Sequence, residues 1–308
     1  MSVAPRTLAV GTRTSALAHW QTTHVIQRLQ EAWPLLQCET LDFTTKGDKT
    51  LNRPLPEIGG KGLFTAELES ALCAGVIDMA VHSLKDLPVE EAHDLQLGAI
   101  LKRADVHDGL VAREGWTLQS LPRGARVGTS SLRRASQLRA ARSDLNVQSI
   151  RGNIDTRVKK VLRGDYEAAV LAAAGLKRLE LTSNVTEWLP LDVMLPAPGQ
   201  GALAVQCRAD DLATIDLLAA IDDDVTRVAT SAERAFLSAL GGGCATPVAA
   251  YACFRQAESE YEMRGLVAAL DGQTVLRVAG TESDPQHLAQ RLAEQALQQG
   301  AAALLQHV

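Results

Sequence analysis

Aromatic residues make up only 4% of the 308 positions although 46% are hydrophobic, so aliphatic side chains have to fill most of the interior. No stretch offers the ~20 uninterrupted apolar residues of a membrane span. The first ten residues, Met1 to Val10, hold neither a long apolar core nor a cleavage pattern, which points to a cytoplasmic protein with no membrane partner. Cysteine is sparse and unpatterned: Cys38, Cys73, Cys207, Cys244 and Cys253 are odd in number and lack CxxC spacing, so reduced thiols are expected. The seven histidines form no HExxH motif and no Cys/His cluster at ligand spacing, which argues against a metal site. A basic excess is missing too. The net charge of −5 argues against a nucleic-acid partner.

Length allows two or three domains, each with its own core, and therefore clefts between them. Within this acidic chain arginine clusters in the middle third, at Arg133, Arg134, Arg139, Arg142, Arg151, Arg157 and Arg163, a distribution better suited to small anionic ligands than to DNA.

Leu8-Ala9-Val10 is a short apolar run ending at Gly11, and beyond Ser15 the residues Ala18, Thr22, Val25, Leu29 and Ala32 recur at helical spacing. A helix from Leu63 to Ala74 and a strand from Ile77 to His82 continue the alternation, which favours an α/β sheet. Arg126 to Ser131 repeats the build of Val10 to Ser15: a strand, a Gly-Thr turn, a capping serine, then a helix. The repeat suggests two similarly built α/β domains. A helix over Ile154–Arg163, a strand over Tyr166–Ala172 and a helical turn from Gly175 to Leu181 follow. Two prolines and two glycines in Leu195 to Gly201 mark a boundary or crossover before a strand from Ala202 to Cys207. Asp222-Asp223-Asp224 reads as a solvated helix start. Beyond Val225 a helix, a Gly-rich loop, strands over Val248–Phe254 and Glu260–Ala269, and a helix from Pro285 read as an α+β domain.

Two serine-capped helix starts, at Ser15 and Ser130-Ser131, aim free backbone N–H groups beyond strand ends and favour anions. Arg13 precedes one cap and Arg133-Arg134 follow the other, with planar forks suited to carboxylates. Together they read either as a carboxylate or phosphate site between two α/β domains or as solvated helix arginines. Arg151 and Arg157 flank Gly152-Asn153 and either face one cleft or lie on the surface around an Asn cap. Lys61 in Gly59-Gly60-Lys61-Gly62 fails the phosphate-loop pattern, because Leu55 and Gly62 stand where Gly and Ser/Thr are needed, and reads as one cation on a mobile loop.

Val81 to Pro88 places Ser83, Lys85 and Asp86 at the end of a buried strand, where α/β sheets bind ligands. Asp86 is the best acid/base candidate, its alternative being a turn aspartate before Pro88. Cys244, after Gly241-Gly242-Gly243, sits in a flexible loop suited to attachment chemistry, whereas most free cysteines are buried small hydrophobes.

Gly11 to Ser15, Gly59 to Phe64, Val81 to Pro88, Gly128 to Arg134, Arg151-Gly152-Asn153, Pro198 to Ala202 and Gly242-Gly243-Cys244 together resemble, in order, the signature segments of the porphobilinogen deaminase family. The resemblance spans residues 8 to about 250. It implies two α/β domains like periplasmic binding-protein lobes plus a small α+β C-terminal domain. The implied ranges are 1–101 with 202–219 for the first, 107–195 for the second and 224–308 for the third. It implies a dipyrromethane cofactor on Cys244 through a thioether. On it four porphobilinogen molecules condense with loss of ammonia, and water then releases hydroxymethylbilane. Asp86 is implied as acid/base, with Arg13, Ser15, Ser83, Lys85, Thr129, Ser131, Arg133, Arg134, Arg151 and Arg157 holding the acetate and propionate groups of cofactor and growing chain. A monomer is implied as well. Ala16, Lys46 and Gly241 depart from the family pattern, and none of them removes a reacting group. The rival from another class is a two-lobed carboxylate-binding protein or ligand sensor, which needs neither Asp86 nor Cys244; a phosphate-handling transferase is disfavoured by the failed loop.

Overall fold

Leu8 and Val10 are fully buried on strand β1 (Thr7–Arg13), and the chain turns at once into helix α1 (Ala16–Ala32), capped by Ser15. The computed structural model describes residues 7–49, 63, 65–90, 92–243 and 245–306. Helix α1 buries Ala18, Gln21, Thr22, Val25 and Leu29 against its sheet; Ala32, expected on that face, is exposed at the helix end. Strand β2 (Gln37–Phe43), the short helix α2 (Lys46–Lys49), helix α3 (Ala66–Cys73), strand β3 (Met79–Ser83) and strand β4 (Leu95–Ile100) follow.

Next come β5 (Asp108–Ala112), β6 (Arg126–Gly128), α4 (Leu132–Ala141), β7 (Asn146–Gln148), α5 (Ile154–Arg163), β8 (Ala168–Ala172), α6 (Ala173–Arg178) and β9 (Glu187–Leu189). The chain closes with β10 (Leu203–Arg208), α7 (Leu212–Ala219), α8 (Asp224–Ala239), β11 (Val248–Arg255), β12 (Glu260–Ala268), β13 (Val275–Glu282), α9 (Pro285–Gln298) and α10 (Ala301–Leu305).

The described residues divide into two units. One gathers those before position 104 with Ala202–Arg227; the other gathers Ala104–Gly201 and those from Val228 on. The first unit holds a five-stranded sheet of order β2-β1-β3-β10-β4, with β1 parallel to β2 and β3, and β10 antiparallel to both neighbours. The second holds a sheet of order β7-β6-β8-β5-β9 with the same pattern of directions, β6 parallel to β7 and β8, and β5 antiparallel to its neighbours. Two α/β layers of one design result, as the repeated Gly-Thr-Ser pattern suggested.

The glycines of that pattern serve close packing. A Cβ on Gly11 would sit 2.4 Å from Ile77 Cδ1, and one on Gly128 would sit 2.9 Å from Ile150 Cδ1. Any side chain there would force Ile77 and Leu68, or Ile150, out of place.

The second unit also carries the antiparallel sheet β11-β12-β13, covered by α9. Phe236 of α8, fully buried in this aromatic-poor chain, lies over Gly265, where a Cβ would come within 2.5 Å of its ring. This sheet is seated on α4. Arg139 Nη1 donates to the Leu270 carbonyl at 2.6 Å, and Gly272, at φ +75, lets the turn approach so closely that a Cβ would lie 2.6 Å from Ala140 N. Leu195 packs with Ala249, Leu266 and Ala268 across the same contact. No helix among the described residues is long and apolar enough to cross a membrane.

Candidate functional site

In the first unit β1 and β3 are parallel neighbours, so Arg13 to Ser15 and Ser83 to Asp86 leave the sheet at the same C-terminal edge. Ser15 Oγ accepts from Ala18 N at 3.2 Å and caps α1 as expected. The buried Thr22 hydroxyl donates to Thr12 Oγ1 at 2.8 Å, and Gln21 Nε2 donates to Ser83 Oγ at 2.8 Å. Helix α1 thus fixes both strand ends from one side.

Lys85 and Asp86 lie in a single 3-10 turn, Leu84–Asp86. Fully buried Leu84 anchors it, its N–H donating to the Ala202 carbonyl at 3.1 Å, and Leu87 N closes the turn on the Leu84 carbonyl. The result is an exposed carboxylate at Asp86 on a rigid base. Beneath it His82 is buried, and its pKa is drawn down to about 4, first by burial and then by the charge of Arg13. The imidazole is therefore neutral at pH 7.

The second edge is built differently above the same cap. Ser131 Oγ accepts from Arg134 N at 3.4 Å, and Thr129 Oγ1 accepts from Ser131 N at 3.2 Å. Ser130, the other candidate cap, instead donates to the Ile150 carbonyl at 2.6 Å and ties β6 to the strand-end segment beyond β7.

Arg133 and Arg134 are 3% and 6% exposed, and both reach the fully buried Asp108 at the start of β5. Arg133 Nη2 donates to Asp108 Oδ2 at 2.9 Å and Arg134 Nη2 donates to Oδ1 at 2.7 Å. The reading of these two as solvated helix arginines is corrected: the first turn of α4 is covered, because β5 and the Leu195 segment close over it. Arg133 Nη1 and Gln137 Nε2 both donate to the Leu195 carbonyl, while Gln137 Oε1 accepts from Leu195 N. Burial lowers the Arg133 pKa; Asp108 opposes that shift and the neighbouring Arg134 charge adds to it.

Gln200, fully buried in the Pro-Gly-Gln-Gly segment, donates to Asp108 Oδ1 at 3.0 Å and to the Val106 carbonyl at 2.7 Å. Fully buried Glu233 of α8 accepts from Gly199 N and from Ala252 N, each at 2.7 Å. The glycine-proline segment read as a boundary or crossover is thus clamped by two buried carboxylates.

Arg151 is half-buried, and burial lowers its pKa. Asn153 holds the cap position of α5 without a side-chain cap bond, and Arg157 Nε donates back to the Gly152 carbonyl at 2.7 Å. Sequence reasoning did not single out Arg178. It donates to the Gly201 carbonyl at 3.0 Å, and burial lowers its pKa to about 10. Only its place at the end of a short apolar helix, Ala173–Arg178, hinted at a covered cation.

Lys61 and Cys244 lie outside the described residues. Around the cysteine, Gly241 at φ +67 ends α8, and the Thr246 N–H and hydroxyl both donate to the Gly243 carbonyl, at 3.1 and 2.7 Å. Cys38, Cys73, Cys207 and Cys253 are free, and burial pushes the Cys207 thiol up to about 11. No group of three or more His, Cys, Asp or Glu suited to a metal occurs among the described residues.

The donor set suits a polycarboxylate. Arg133 Nε and Arg134 Nε are buried without a hydrogen-bond partner, and two guanidiniums share one carboxylate. Such an excess of buried donors is costly unless a ligand supplies acceptors.

The chain is similar to proteins of one family. The family described as "Porphobilinogen deaminase, dipyromethane cofactor binding domain" matches residues 8–216, and "Porphobilinogen deaminase, C-terminal domain" matches residues 228–298. A Roseiflexus sp. (strain RS-1) protein named porphobilinogen deaminase is 51% identical over 97% of this chain and 99% of its own length. One of the same name from Brevibacillus brevis is 47% identical over 97% of this chain and 96% of its own. Among solved structures, a probable amino-acid ABC transporter extracellular-binding protein from Bacillus subtilis matches with a TM-score of 0.43 at 12% identity, covering 70% of this chain and 90% of that one. With two family matches in tandem and near-full-length relatives at about half identity, this chain belongs to the porphobilinogen deaminase family.

Proposed function

We propose that this chain condenses four porphobilinogen molecules head to tail into hydroxymethylbilane, the deaminating transferase step of tetrapyrrole synthesis, with Asp86 as the acid/base residue. The observation that carries the reading is the exposed Asp86 carboxylate, fixed by buried Leu84 at the strand edge that also delivers Arg13 and Ser15. A carboxylate-binding protein would use the cations and have no need of that acid.

The chemistry explains the residue type. Breaking the carbon–nitrogen bond of porphobilinogen requires a proton on the departing amino group, and the pyrrole left behind is cationic. Asp86 helps deliver that proton, and as a carboxylate it stabilises the cation while the next α-carbon attacks. It then assists removal of the surplus proton from the new carbon–carbon junction. Lys85 cannot stand in, because a second cation opposes the developing charge.

A dipyrromethane, joined by a thioether to Cys244, supplies when bound the nucleophilic pyrrole carbon from which the chain grows. Arg13, Ser15, Ser83 and Lys85 of the first unit, and Thr129, Ser131, Arg133, Arg134, Arg151 and Arg157 of the second, hold carboxylates of cofactor and substrate. Lys61 would add a cation from its loop. The reading includes a cytoplasmic monomer working on a small molecule.

Intact mass tests the proposal. Purified wild-type chain is expected to weigh more than its sequence by a covalent dipyrrole, and Cys244→Ser to weigh what its sequence says and be inactive. Wild type at bare sequence mass would sink the reading; Cys244→Ser that kept the adduct would move the attachment to another cysteine.

A further inference from the structure

We propose that Asp108 is a positioning residue for anion binding: its buried carboxylate holds the Arg133 and Arg134 guanidiniums side by side so that both forks serve carboxylate groups of the ligand. This rests on the reading of the arginine edge given above.

Three observations carry it. The first is place. Asp108 opens β5 and pairs in register with Ala172, the last residue of β8, so it stands at the sheet edge from which β6 feeds the cap of α4. The second is stoichiometry. A buried pair serving the fold alone would be balanced, one cation to one carboxylate; here two guanidiniums share one carboxylate, to which neutral Gln200 Nε2 also donates. The third is what the contacts leave over. Each guanidinium gives a single Nη to Asp108, and each keeps a buried Nε with no hydrogen-bond partner.

Asp108 thereby does two things. It offsets part of the mutual repulsion of two adjacent cations in a dry setting, and it fixes the planes of both forks. It touches no reacting atom on this account. Its loss should therefore weaken the holding of carboxylates and leave the chemical step nearly intact.

The test compares purified full-length wild type, Asp108→Asn and Asp108→Glu by thermal melt, intact mass and steady-state kinetics. For Asp108→Asn the expectation is a cooperative melt, a smaller adduct-bearing fraction, and a KM for porphobilinogen raised about tenfold or more, as loss of a charged hydrogen bond implies. Its kcat, measured on the adduct-bearing fraction, should stay within about threefold of wild type. Asp108→Glu, which keeps the charge, should recover most of the adduct fraction. A folded Asp108→Asn with full adduct and unchanged KM would overturn the proposal, as would equal impairment in the Asn and Glu variants, which would make Asp108 a matter of shape alone. Should Asp108→Asn not fold, Gln200→Met keeps the Asp108 charge and removes its neutral donor together with the bond to the Val106 carbonyl; a KM raised about twofold to fivefold at constant kcat supports the proposal and an unchanged KM overturns it. Failure of the family reading looks different: wild type itself would then carry no adduct.

Discussion

At the edge of the first sheet a serine-capped helix stands beside a turn that leaves Asp86 exposed, whereas at the edge of the second the same cap leads straight into two arginines buried on Asp108. One design of strand, close-packed glycine and capped helix thus supports two electrostatic roles. On the proposed function the carboxylate that exchanges protons is the exposed one, Asp86, seated on buried Leu84. On the same proposal the second edge holds anions with two buried guanidiniums that share the Asp108 carboxylate. The proposal thus assigns reaction to one edge and grip to the other, and each half is open to substitution.

The largest effect is expected at Asp86. Asp86→Asn keeps the shape and removes the ionisable group, so turnover should fall by about 10²–10⁴ while the fold is unchanged, and Asp86→Glu should fall between. Steady-state rates on preassembled holoenzyme read this directly; an Asn variant within a few-fold of wild type would leave Asp86 a turn residue.

Next comes the arginine pair. Arg134→Leu strips Asp108 of one of its two cations, and breaking a buried pair costs about 3–5 kcal/mol, so denaturant unfolding should show a marked loss of stability along with failed cofactor assembly. Arg134→Lys keeps the charge and loses the fork. It should recover much of the stability and little of the assembly.

The smallest effect is a pH dependence at His82. A folded pKa of about 4 lies below the ordinary 6.5, so between those values the unfolded chain binds the extra proton. Stability contributed here is complete above about pH 6.5, declines as pH falls, and levels off below about pH 4, for a total on the order of 3 kcal/mol. His82→Gln, which does not titrate, should flatten the unfolding curve across that window; an unchanged slope would show that other groups govern it.

Much of the scaffold was legible in the residues. Helix Ile154–Arg163 has the bounds expected from its pattern, since Gly164 adopts φ +90 and stops it. The Gly-Thr-Ser repeat did mark two sheets of one order. Strands β2, β4, β5, β7, β9 and β13 went unread: β2 is an edge strand with no residue fully covered, and β5 opens on a charged residue, so neither shows a buried strand's pattern.

The arginines were legible as cations and illegible as a buried pair. Their carboxylate lies 25 and 26 positions earlier in the chain, and only the antiparallel pairing of β5 with β8 brings it to the cap of α4. Local spacing carries no trace of such a contact. The same holds for Arg178, covered through its bond to the Gly201 carbonyl, and for Glu233, which joins Gly199 to β11.

The division between reacting and gripping is tested most directly by one paired measurement: the intact mass and kcat of Asp86→Asn and Arg134→Leu, each offered preassembled cofactor under the same conditions. The account predicts that Asp86→Asn takes up the adduct and scarcely turns over, while Arg134→Leu, where folded, fails to retain the adduct. Asp86→Asn that turned over normally, or Arg134→Leu that held the adduct as wild type does, would contradict it.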